Sequence, residues 1–388
     1  MKNWGSSSNL EKLLKRVSNF NRGDKQLKAV VLAGGFGTRL RPLSCSRPKM
    51  LFPVANKPLI DYTLQNLSDG GVDTIILSVY YMAESLVRYL GPTKYDLGIL
   101  YSREQRPLGT GGPIKQAENM LNDEIFLTLN GDVLADIDYR RLVNFHKEKG
   151  GLATIALVQV PDPSRYGAVE LDWEGRITRF VEKPEPGRAP SNLINAGIYI
   201  LEHKVLDYIP SGRKVSIETE VFPKLAEERK LYGFECHGFW IDIGTPEEYL
   251  KANAMLLNKR ESINHGENIG VSSEAQIKQP CVFGEEVKIG DDSTIGPNVS
   301  LNDYVEVGKG CKIENSIILN GAVIEDYSSI KNAIIGENAL IERWVKIESG
   351  SLIGDYAQIA DGVTITEGVS ICPSKTIDES ILVPKQVM

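Results

Sequence analysis

The 388-residue sequence lacks any long uninterrupted hydrophobic run. No apolar stretch reaches the roughly 18 residues that a membrane-spanning helix needs. The N-terminus also lacks the apolar core of a signal peptide, because lysines and serines interrupt it. We therefore expect no membrane span and a cytoplasmic location.

Cysteine, histidine and excess positive charge are scarce as well. The five cysteines lie far apart without a Cys-x-x-Cys pair, which argues against a thiolate metal site and is typical of a reducing compartment. Only four histidines occur, the last of them at position 265. The net charge of −7 argues against a nucleic-acid-binding surface, so no nucleic-acid partner is expected.

The first segment, residues 1–26, is a polar extension that contains one short amphipathic helix. In "SNLEKLLKRVSNF" Ser8 and Glu11 have the spacing of a capping box, leucines recur on one helical face, and the opposite face is basic. This helix suits either a membrane surface or docking on the body of the protein or on a neighbouring subunit. A single short helix is a weak membrane anchor, which favours docking.

Residues 27–253 alternate between strand-like and helix-like segments. The apolar runs "KAVVLAG", "TIILSVY", "IFLTLNGD" and "TIALVQV" predict buried strands, and "PLIDYTLQNLSDGG" and "AESLVRYLG" predict helices that end at glycine. Such alternation predicts an α/β domain with a mainly parallel sheet. Ligands bind at the carboxyl ends of the strands in such sheets.

Residues 254–264 are predicted to be a linker, and residues 265–388 have a six-residue period instead of a helical one. Six residues make one side of a triangular coil in a parallel β-helix, whereas a β-sandwich would show a period of two. The register shifts by two residues after Leu319 and resumes at Ile335. The recurring residues are Val271, Ile277, Phe283, Ile289, Ile295, Leu301, Val307, Ile313 and Leu319, then Ile335, Ile341, Ile347, Ile353, Ile359, Ile365 and Ile371.

The first strand leads into a glycine-rich, basic stretch, "LAGGFGTRLRPLSCSRPKM". It matches neither GxxxxGK[ST] nor GxGxxG, because Leu40 stands where the third glycine would be. Glycines let backbone N–H groups approach phosphate oxygens, and Arg39 and Lys49 supply positive charge. Phosphate binding and an ordinary glycine turn with surface cations both remain open on this stretch alone.

Two aspartates follow apolar runs. Asp132 ends "LNGD", and Asp242 lies before glycine in "FWIDIGTPEEY". Each carboxylate suits Mg²⁺, which needs one or two carboxylates plus substrate oxygens. The alternatives are a turn or helix-capping role for Asp132 and an N-cap shared with Thr245 for Asp242.

The stretch "RFVEKPEPG" places Glu182 beside Lys183. In an extended backbone their side chains point to opposite faces, so the sequence predicts more than a salt bridge. The nearby segments "YGAVE" and "INAGIYI" each have a small residue at the centre, where a ligand rich in hydroxyl groups can approach the backbone. Together these groups suit a sugar phosphate.

Six motifs, in this order, resemble those of the sugar-1-phosphate nucleotidyltransferases: "LAGGFGTRLRPLSCSRPKM", "PLGTGGP", "NGD", "FVEKP", "NAGIYI" and "WIDIGTPEEY". The resemblance covers nearly all of residues 27–388 and is nearest to the guanylyltransferases that act on mannose 1-phosphate. It implies a Rossmann-like catalytic domain followed by a left-handed parallel β-helix. GTP and mannose 1-phosphate are the expected substrates, although branches that use glucose 1-phosphate with UTP, dTTP or ATP share most of these motifs.

The resemblance also implies a role for individual residues. The catalytic residues would be Arg39, Lys49, Asp132 and Lys183, and the ligands of Mg²⁺ would be Asp132 and Asp242. The nucleotide would contact Leu32, Ala33, Gly34, Gly35, Gly37, Thr38, Arg39, Lys49, Gly109 and Thr110. The sugar phosphate would contact Gly167, Glu182, Lys183, Asn195 and Ala196.

Two other functions compete with this interpretation. Hexapeptide β-helices often host acyltransferases, but these commonly use a histidine base, and the repeat region has no histidine. A non-catalytic regulatory subunit that binds a nucleotide sugar is the second alternative, although it would not need the cations and aspartates that are present. In either case the flat faces of the β-helix suit assembly, and we expect a homo-oligomer.

Overall fold

A computed structural model describes residues 27–121, 124–259 and 266–387. The extension at residues 1–26, with the helix predicted there, lies outside the described residues. Within those residues no helix is both long and apolar enough to cross a bilayer. All five cysteines are described, and each is a free thiol.

The first domain is an α/β layer structure with seven α-helices and fourteen strands in the described residues. The α-helices are α1 (Leu59–Asp69), α2 (Ala83–Leu90), α3 (Gly111–Gln116), α4 (Tyr139–Lys149), α5 (Ile217–Glu220), α6 (Phe222–Glu227) and α7 (Pro246–Lys259). The strands are β1 (Leu27–Ala33), β2 (Pro53–Val54), β3 (Lys57–Pro58), β4 (Val72–Val79), β5 (Thr93–Lys94), β6 (Leu97–Arg103), β7 (Ile125–Asn130), β8 (Val133–Ala135), β9 (Ala153–Gln159), β10 (Gly167–Leu171), β11 (Ile177–Glu182), β12 (Leu193–Glu202), β13 (Leu231–Glu235) and β14 (Trp240–Asp242). Short 3₁₀ turns occupy Thr38–Leu40, Leu43–Cys45, Lys49–Leu51, Glu118–Met120 and His203–Tyr208.

Ten of these strands form one sheet. Its order is β11-β10-β12-β7-β1-β4-β6-β5, and β9 joins β12 to β13 beside this path. The centre, β7-β1-β4-β6, is parallel as predicted, because helices connect its strands. Strand β12 runs antiparallel to β7, so the motifs "YGAVE", "RFVEK" and "NAGIYI" lie on an antiparallel half of the sheet that the alternation pattern does not predict.

The second domain is a parallel β-helix, which confirms the interpretation of the six-residue period. Its three faces are three parallel sheets around an apolar interior. The first face comprises β15 (Gly270–Val271), β18 (Lys288–Ile289), β21 (Glu306–Val307), β24 (Val323–Ile324), β27 (Leu340–Ile341), β30 (Gln358–Ile359) and β33 (Thr376–Ile377). The second comprises β16 (Gln276–Ile277), β19 (Thr294–Ile295), β22 (Lys312–Glu314), β25 (Ser329–Lys331), β28 (Lys346–Ile347) and β31 (Thr364–Ile365). The third comprises β17 (Cys281–Phe283), β20 (Val299–Leu301), β23 (Ile317–Ile318), β26 (Ile334–Ile335), β29 (Leu352–Ile353), β32 (Ser370–Ile371) and β34 (Gln386–Val387).

The register shift in the repeat differs from the prediction. It consists of two separate shortenings by one residue, at the corners that contain Asn315 and Asn332, both in the left-handed conformation that asparagine tolerates. Ile318, and not Leu319, therefore fills the interior between Leu301 and Ile335. Leu319 belongs instead to an apolar cluster that the two domains share.

That shared cluster joins the third face of the β-helix to the first domain. Residues of the third face pack against the segment that follows the glycine-rich loop and against α7, which runs across the start of the predicted linker to Lys259. The cluster contains Leu40, Leu43, Phe52, Val54, Tyr249 and Leu256 from the first domain and Val282, Ile317, Leu319, Ile334 and Leu352 from the β-helix. The β-helix thus packs directly against the segment that follows the glycine-rich loop.

Asn253 is a buried polar link within this junction. Its Oδ1 accepts the backbone N–H of Ala55 (2.8 Å) and the hydroxyl of Ser300 (2.8 Å), so it joins α7, the first domain and the third face. Both donors lose their partner if this oxygen is removed, and buried donors without partners are costly.

We predict that Asn253→Ala lowers the free energy of unfolding by about 2 kcal/mol, since each unpaired buried group costs about 1–3 kcal/mol. Asn258→Ala is the control, because Asn258 makes its hydrogen bonds on the exposed side of α7. We expect this variant to change the free energy of unfolding by less than about 0.5 kcal/mol. Urea unfolding measures both values. Equal losses in the two variants would show that the Asn253 link does not hold the junction.

Candidate active site

The glycine-rich loop lies at the carboxyl ends of two neighbouring parallel strands. Strand β1 pairs with β7, and the N–H of Gly131 donates to the carbonyl of Leu32 (3.0 Å). Gly37 has a φ of 61° and opens the 3₁₀ turn Thr38–Leu40. The hydroxyl of Ser44 donates to the carbonyl of Gly37 (2.8 Å), which fixes the far side of the loop. The loop is therefore a fixed cradle of backbone groups at the sheet edge.

Lys49 lies between two carboxylates at the base of this cradle. Its Nζ is 2.8 Å from Oδ2 of Asp132 and 3.7 Å from Oδ1 of Asp242, and only 10% of its side chain is exposed. Lysine ammonium groups are rarely buried without partners of opposite charge. The largely buried ammonium group of Lys49, in contact with two acids, therefore suits a site that binds charged groups.

The pairing of two short strands brings the aspartates together. Strand β8 begins just after Asp132 and pairs antiparallel with β14, so that Asp242 lies opposite Val133. The N–H of Ile243 donates to the carbonyl of Asp132 (3.1 Å), which extends this pairing. The two acids, distant in the sequence, thus become neighbours.

Neither aspartate serves as a helix cap. Helix α4 is capped by Asp138, whose carboxylate accepts the N–H of Arg141. Helix α7 is preceded by Thr245, whose hydroxyl oxygen accepts the N–H of Glu248 (3.3 Å). The capping alternatives for Asp132 and Asp242 are therefore wrong, whereas Asp132 does lie in a turn, and both carboxylates face Lys49.

The electrostatics of Asp242 reflect this crowding. Burial, and then repulsion from Asp132, raise the pKa of Asp242 to about 6, although Lys49 favours its ionised form. Its buried Oδ1 accepts no hydrogen bond from the described residues. Two carboxylates with an oxygen left available are the hard donors that Mg²⁺ or a similar divalent cation prefers. The pair fits such a metal, which would compete with Lys49 for the same charge.

Two pockets that share Leu32, Gly35 and Asp132 in their lining adjoin this group. The smaller has a volume of about 160 Å³ and contains the cradle, Lys49 and Asp132. The larger, about 440 Å³, extends from Leu32 and Gly35 to the "PLGTGGP" segment. Every predicted nucleotide-binding residue, including Arg39, lines one of the two pockets. The guanidinium group of Arg39 packs on Gly244, where an added Cβ would lie 2.9 Å from Nη2 of Arg39.

Glu104 is a further residue of the larger pocket, and sequence reasoning missed it. Its carboxylate is buried and accepts the N–H of Leu108 (2.9 Å) and the hydroxyl of Ser78 (3.2 Å). Burial raises the pKa of Glu104, and these two hydrogen bonds oppose that rise. A Cβ on Gly34 would lie 2.6 Å from its Oε1, so the acid lies against the cradle. An acidic residue directly after the strand-like "ILYSR" was the available signal, the same one that identified Asp132.

The residues predicted for the sugar phosphate lie on the antiparallel half of the sheet. Glu182 lies against Gly167, and burial followed by repulsion from Glu218 raises the pKa of Glu182. Asn195 and Ala196 are tied into β12, where Asn195 accepts the N–H of Gly197 (2.7 Å) and Ala196 accepts the indole N–H of Trp240 (2.9 Å). These residues line neither of the two pockets described above.

Lys183 differs from its predicted conformation. The backbone at Lys183 is left-handed, with a φ of 48°, so the side chains of Glu182 and Lys183 do not point to opposite faces. Lys183 Nζ lies 3.8 Å from Oε1 of Glu182, and 69% of the side chain is exposed. It is therefore an exposed group at the rim of this half, and not a partner of Lys49.

Two family models match this chain. A family model described as nucleotidyl transferase matches residues 28–259. The chain belongs to this nucleotidyl transferase family. A second model, described as the GMPPB C-terminal domain, matches residues 266–387.

Relatives of this nucleotidyl transferase align over most of its length. It is 37% identical to probable mannose-1-phosphate guanylyltransferase 2 of Oryza sativa subsp. japonica, over 93% of this chain and 100% of the relative. It is 38% identical to the mannose-1-phosphate guanylyltransferase catalytic subunit beta of Drosophila melanogaster, over 84% of this chain and 88% of the relative. The crystal structure of HddC from Yersinia pseudotuberculosis complexed with GMP-PN matches with 32% identity and a TM-score of 0.51, over 60% of this chain and 100% of that chain.

If Lys49 competes with a metal for the two carboxylates, removal of its charge should strengthen metal binding by this nucleotidyl transferase. In Lys49→Met the shape of the side chain is nearly kept, but the positive charge between Asp132 and Asp242 is lost. We expect Mn²⁺ to bind the nucleotide-free variant at least about fivefold more tightly, because one unit charge at about 4 Å is worth 1 kcal/mol or more. Isothermal titration calorimetry with Mn²⁺ measures the change.

Lys288→Met is the matched control, since it removes a lysine from an exposed ion pair with Glu306 on the β-helix. Its Mn²⁺ affinity should equal that of the unmodified protein. If Lys49→Met also leaves the affinity unchanged, Lys49 and the metal do not share the two carboxylates.

Proposed function

We propose that the protein transfers a guanylyl group from GTP to mannose 1-phosphate, with release of pyrophosphate. The observation that carries this proposal is Lys49, held between Asp132 and Asp242 beneath a glycine cradle. The full-length similarity to mannose-1-phosphate guanylyltransferases supports the choice of substrates.

The reaction brings one phosphate anion to another. An oxygen of the sugar phosphate forms a bond to the α-phosphorus, the bond from that phosphorus to the bridging oxygen breaks, and pyrophosphate leaves with the electron pair. The attacking oxygen is already ionised near neutral pH, so the reaction needs no general base. Catalysis then rests on in-line placement and on positive charge around the phosphates.

The residues divide this work by position. Arg39, Lys49 and the N–H groups of the cradle would hold the triphosphate, since they line one pocket. Asp132 and Asp242 would hold Mg²⁺, which supplies positive charge to the phosphate oxygens when bound. On the antiparallel half, Gly167, Glu182, Asn195 and Ala196 would seat the sugar, and the exposed Lys183 would contact its phosphate as the sugar phosphate arrives.

Glu104 would select the base. The Watson–Crick edge of guanine presents two adjacent donors, N1–H and the 2-amino group, and a carboxylate accepts both. Uracil and thymine present one donor flanked by acceptors, and adenine presents an acceptor beside its donor, so each places an oxygen or nitrogen lone pair against the acid. The carboxylate of Glu104 lines the larger pocket, beyond the cradle from Lys49, where a base would lie.

A substrate panel tests the proposed reaction. The full chain with Mg²⁺ is assayed for pyrophosphate release with GTP, UTP, dTTP and ATP against mannose, glucose and N-acetylglucosamine 1-phosphates. We expect the highest kcat/KM for GTP with mannose 1-phosphate, and a loss of about 10²-fold or more in Lys49→Ala, as for one lost charge-stabilising donor. Preference for UTP or dTTP with glucose 1-phosphate would assign another branch, and no turnover with any pair would indicate a regulatory subunit.

The role of Glu104 is tested with inosine triphosphate, which lacks the 2-amino group of guanine. We expect the unmodified protein to favour GTP over inosine triphosphate by about tenfold, since a bidentate contact to a base discriminates by about 1–3 kcal/mol. In Glu104→Gln this ratio of kcat/KM values should fall towards one, because the amide accepts only one of the two donors.

The control is Glu118→Gln, which removes a carboxylate paired with Lys115 outside the two pockets. Its preference should match that of the unmodified protein. A Glu104→Gln variant that loses activity equally with both nucleotides would mean that Glu104 only shapes the loop.

Assembly and location complete the proposal. We propose a homo-oligomer built on the first and second faces of the β-helix, because the third face is already packed against the catalytic domain. The five free thiols agree with a cytoplasmic location.

A further inference from the structure

The segment that carries Lys49 is attached to the β-helix by polar contacts. The hydroxyl of Ser46 donates to Oδ2 of Asp355 (2.5 Å), and Nη2 of Arg47 lies 3.1 Å from the same oxygen. The same guanidinium nitrogen lies 2.7 Å from Oε2 of Glu337. Asp355 follows β29, and its side chain is only 3% exposed. Two adjacent residues of the catalytic domain therefore converge on one buried carboxylate of the β-helix.

Asp355 does two separable things. Its Oδ1 accepts the N–H of Glu337 in the coil below (2.8 Å), and its Oδ2 faces the catalytic domain. The first bond belongs to the repeat, because Asp303, at the equivalent corner after β20, accepts the N–H of Glu285 in the same way (2.9 Å). In both cases a left-handed tyrosine follows, Tyr304 or Tyr356. The bond of Oδ1 is thus a requirement of the coil, whereas the contacts of Oδ2 are not.

Asp303, the equivalent acid, lacks the second kind of contact within the described part of the chain. Among the described residues, Asp303 makes no hydrogen bond or ion pair with the catalytic domain, and it is more exposed than Asp355. An additional buried ion pair is not needed to build the β-helix, and buried pairs add little to stability relative to apolar packing. The contacts of Asp355 with Ser46 and Arg47 therefore call for a reason beyond the stability of the coil.

The connection from Arg47 to Lys49 is short and stiff. Only Pro48 separates them, with a φ of −68°, and the 3₁₀ turn Lys49–Leu51 begins directly after it. The N–H of Phe52 donates to the carbonyl of Lys49 (3.0 Å), which closes the turn. A displacement of Arg47 is therefore passed to the backbone of Lys49 within two residues, with no flexible link to absorb it.

We infer that Asp355, assisted by Glu337, is a positioning residue that holds Lys49 in register with Asp132 and Asp242 through Arg47. The inference rests on the nucleotidyl transfer proposed above. It assigns the β-helix a part in catalysis, because the acid that orients the catalytic lysine belongs to the second domain.

Asp355→Asn separates the two roles of this residue. The amide oxygen keeps the bond to the N–H of Glu337, while the negative charge and the acceptor for Arg47 and Ser46 are lost. We expect kcat to fall about tenfold or more, since a displacement of 1 Å near the chemistry costs up to about 10²-fold, with a smaller change in the KM for the sugar phosphate. In a Lys49→Ala background the same substitution should cause no further loss of kcat, because the two residues act as one unit.

Asp303→Asn is the matched control, with the same chemical change at the equivalent corner of another coil. This control variant should leave kcat unchanged, even if it lowers the stability of the protein modestly. If Asp355→Asn lowers only the melting temperature, or lowers kcat equally with and without Lys49, the inference is wrong. Should Asp355→Asn fail to fold, Glu337→Gln provides the test from a more exposed partner of Arg47, with a smaller expected fall in kcat.

The activity of the unmodified protein distinguishes a failure of the proposed function from a failure of the positioning role of Asp355. If the unmodified chain releases no pyrophosphate with any substrate pair, the proposed function fails. If it turns over and Asp355→Asn turns over equally well, only the positioning role of Asp355 fails.

Discussion

The structure depends on one electrostatic arrangement, a lysine buried between two aspartates. Lys49 Nζ lies 2.8 Å from Asp132 and 3.7 Å from Asp242, so a single ammonium group faces two carboxylates. Burial of the Lys49 ammonium group alone would be costly, and it is tolerated because the group contacts both carboxylates, which otherwise repel each other. The same three groups suit the handling of phosphates and a divalent cation, because they can exchange one cation for another without leaving a buried charge unpaired.

Each member of this group is held by a different long-range contact. Asp132 lies at the end of a strand in the parallel centre of the sheet, and Asp242 is brought beside it by the pairing of β8 with β14. Lys49 lies on a segment that packs against the third face of the β-helix. The site therefore lies where the parallel centre of the main sheet, the small sheet of β8 and β14, and a segment packed against the second domain come together.

The sequence predicted the parts of this arrangement that depend on local patterns. Alternating apolar and helical segments placed Asp132 and the glycine cradle at one sheet edge, and the six-residue period predicted the β-helix. The mistakes arose where the pattern is ambiguous or silent. Leu319 and Ile318 are adjacent and equally apolar, so periodicity alone could not tell which one faces the interior. The left-handed backbone of Lys183 has no signature in the side-chain pattern, since non-glycine residues adopt this conformation only in particular surroundings. Glu104 and the contact of Arg47 with Asp355 depend on tertiary packing, which one sequence does not reveal.

The most direct test of the account is a crystal structure of the full chain with Mg²⁺ and a non-hydrolysable GTP analogue. The account predicts that Lys49 Nζ leaves Asp132 and contacts a phosphate oxygen, while carboxylate oxygens of both aspartates lie about 2.1 Å from one metal ion. A complex in which Lys49 still contacts Asp132 and the metal lies away from Asp242 would contradict it.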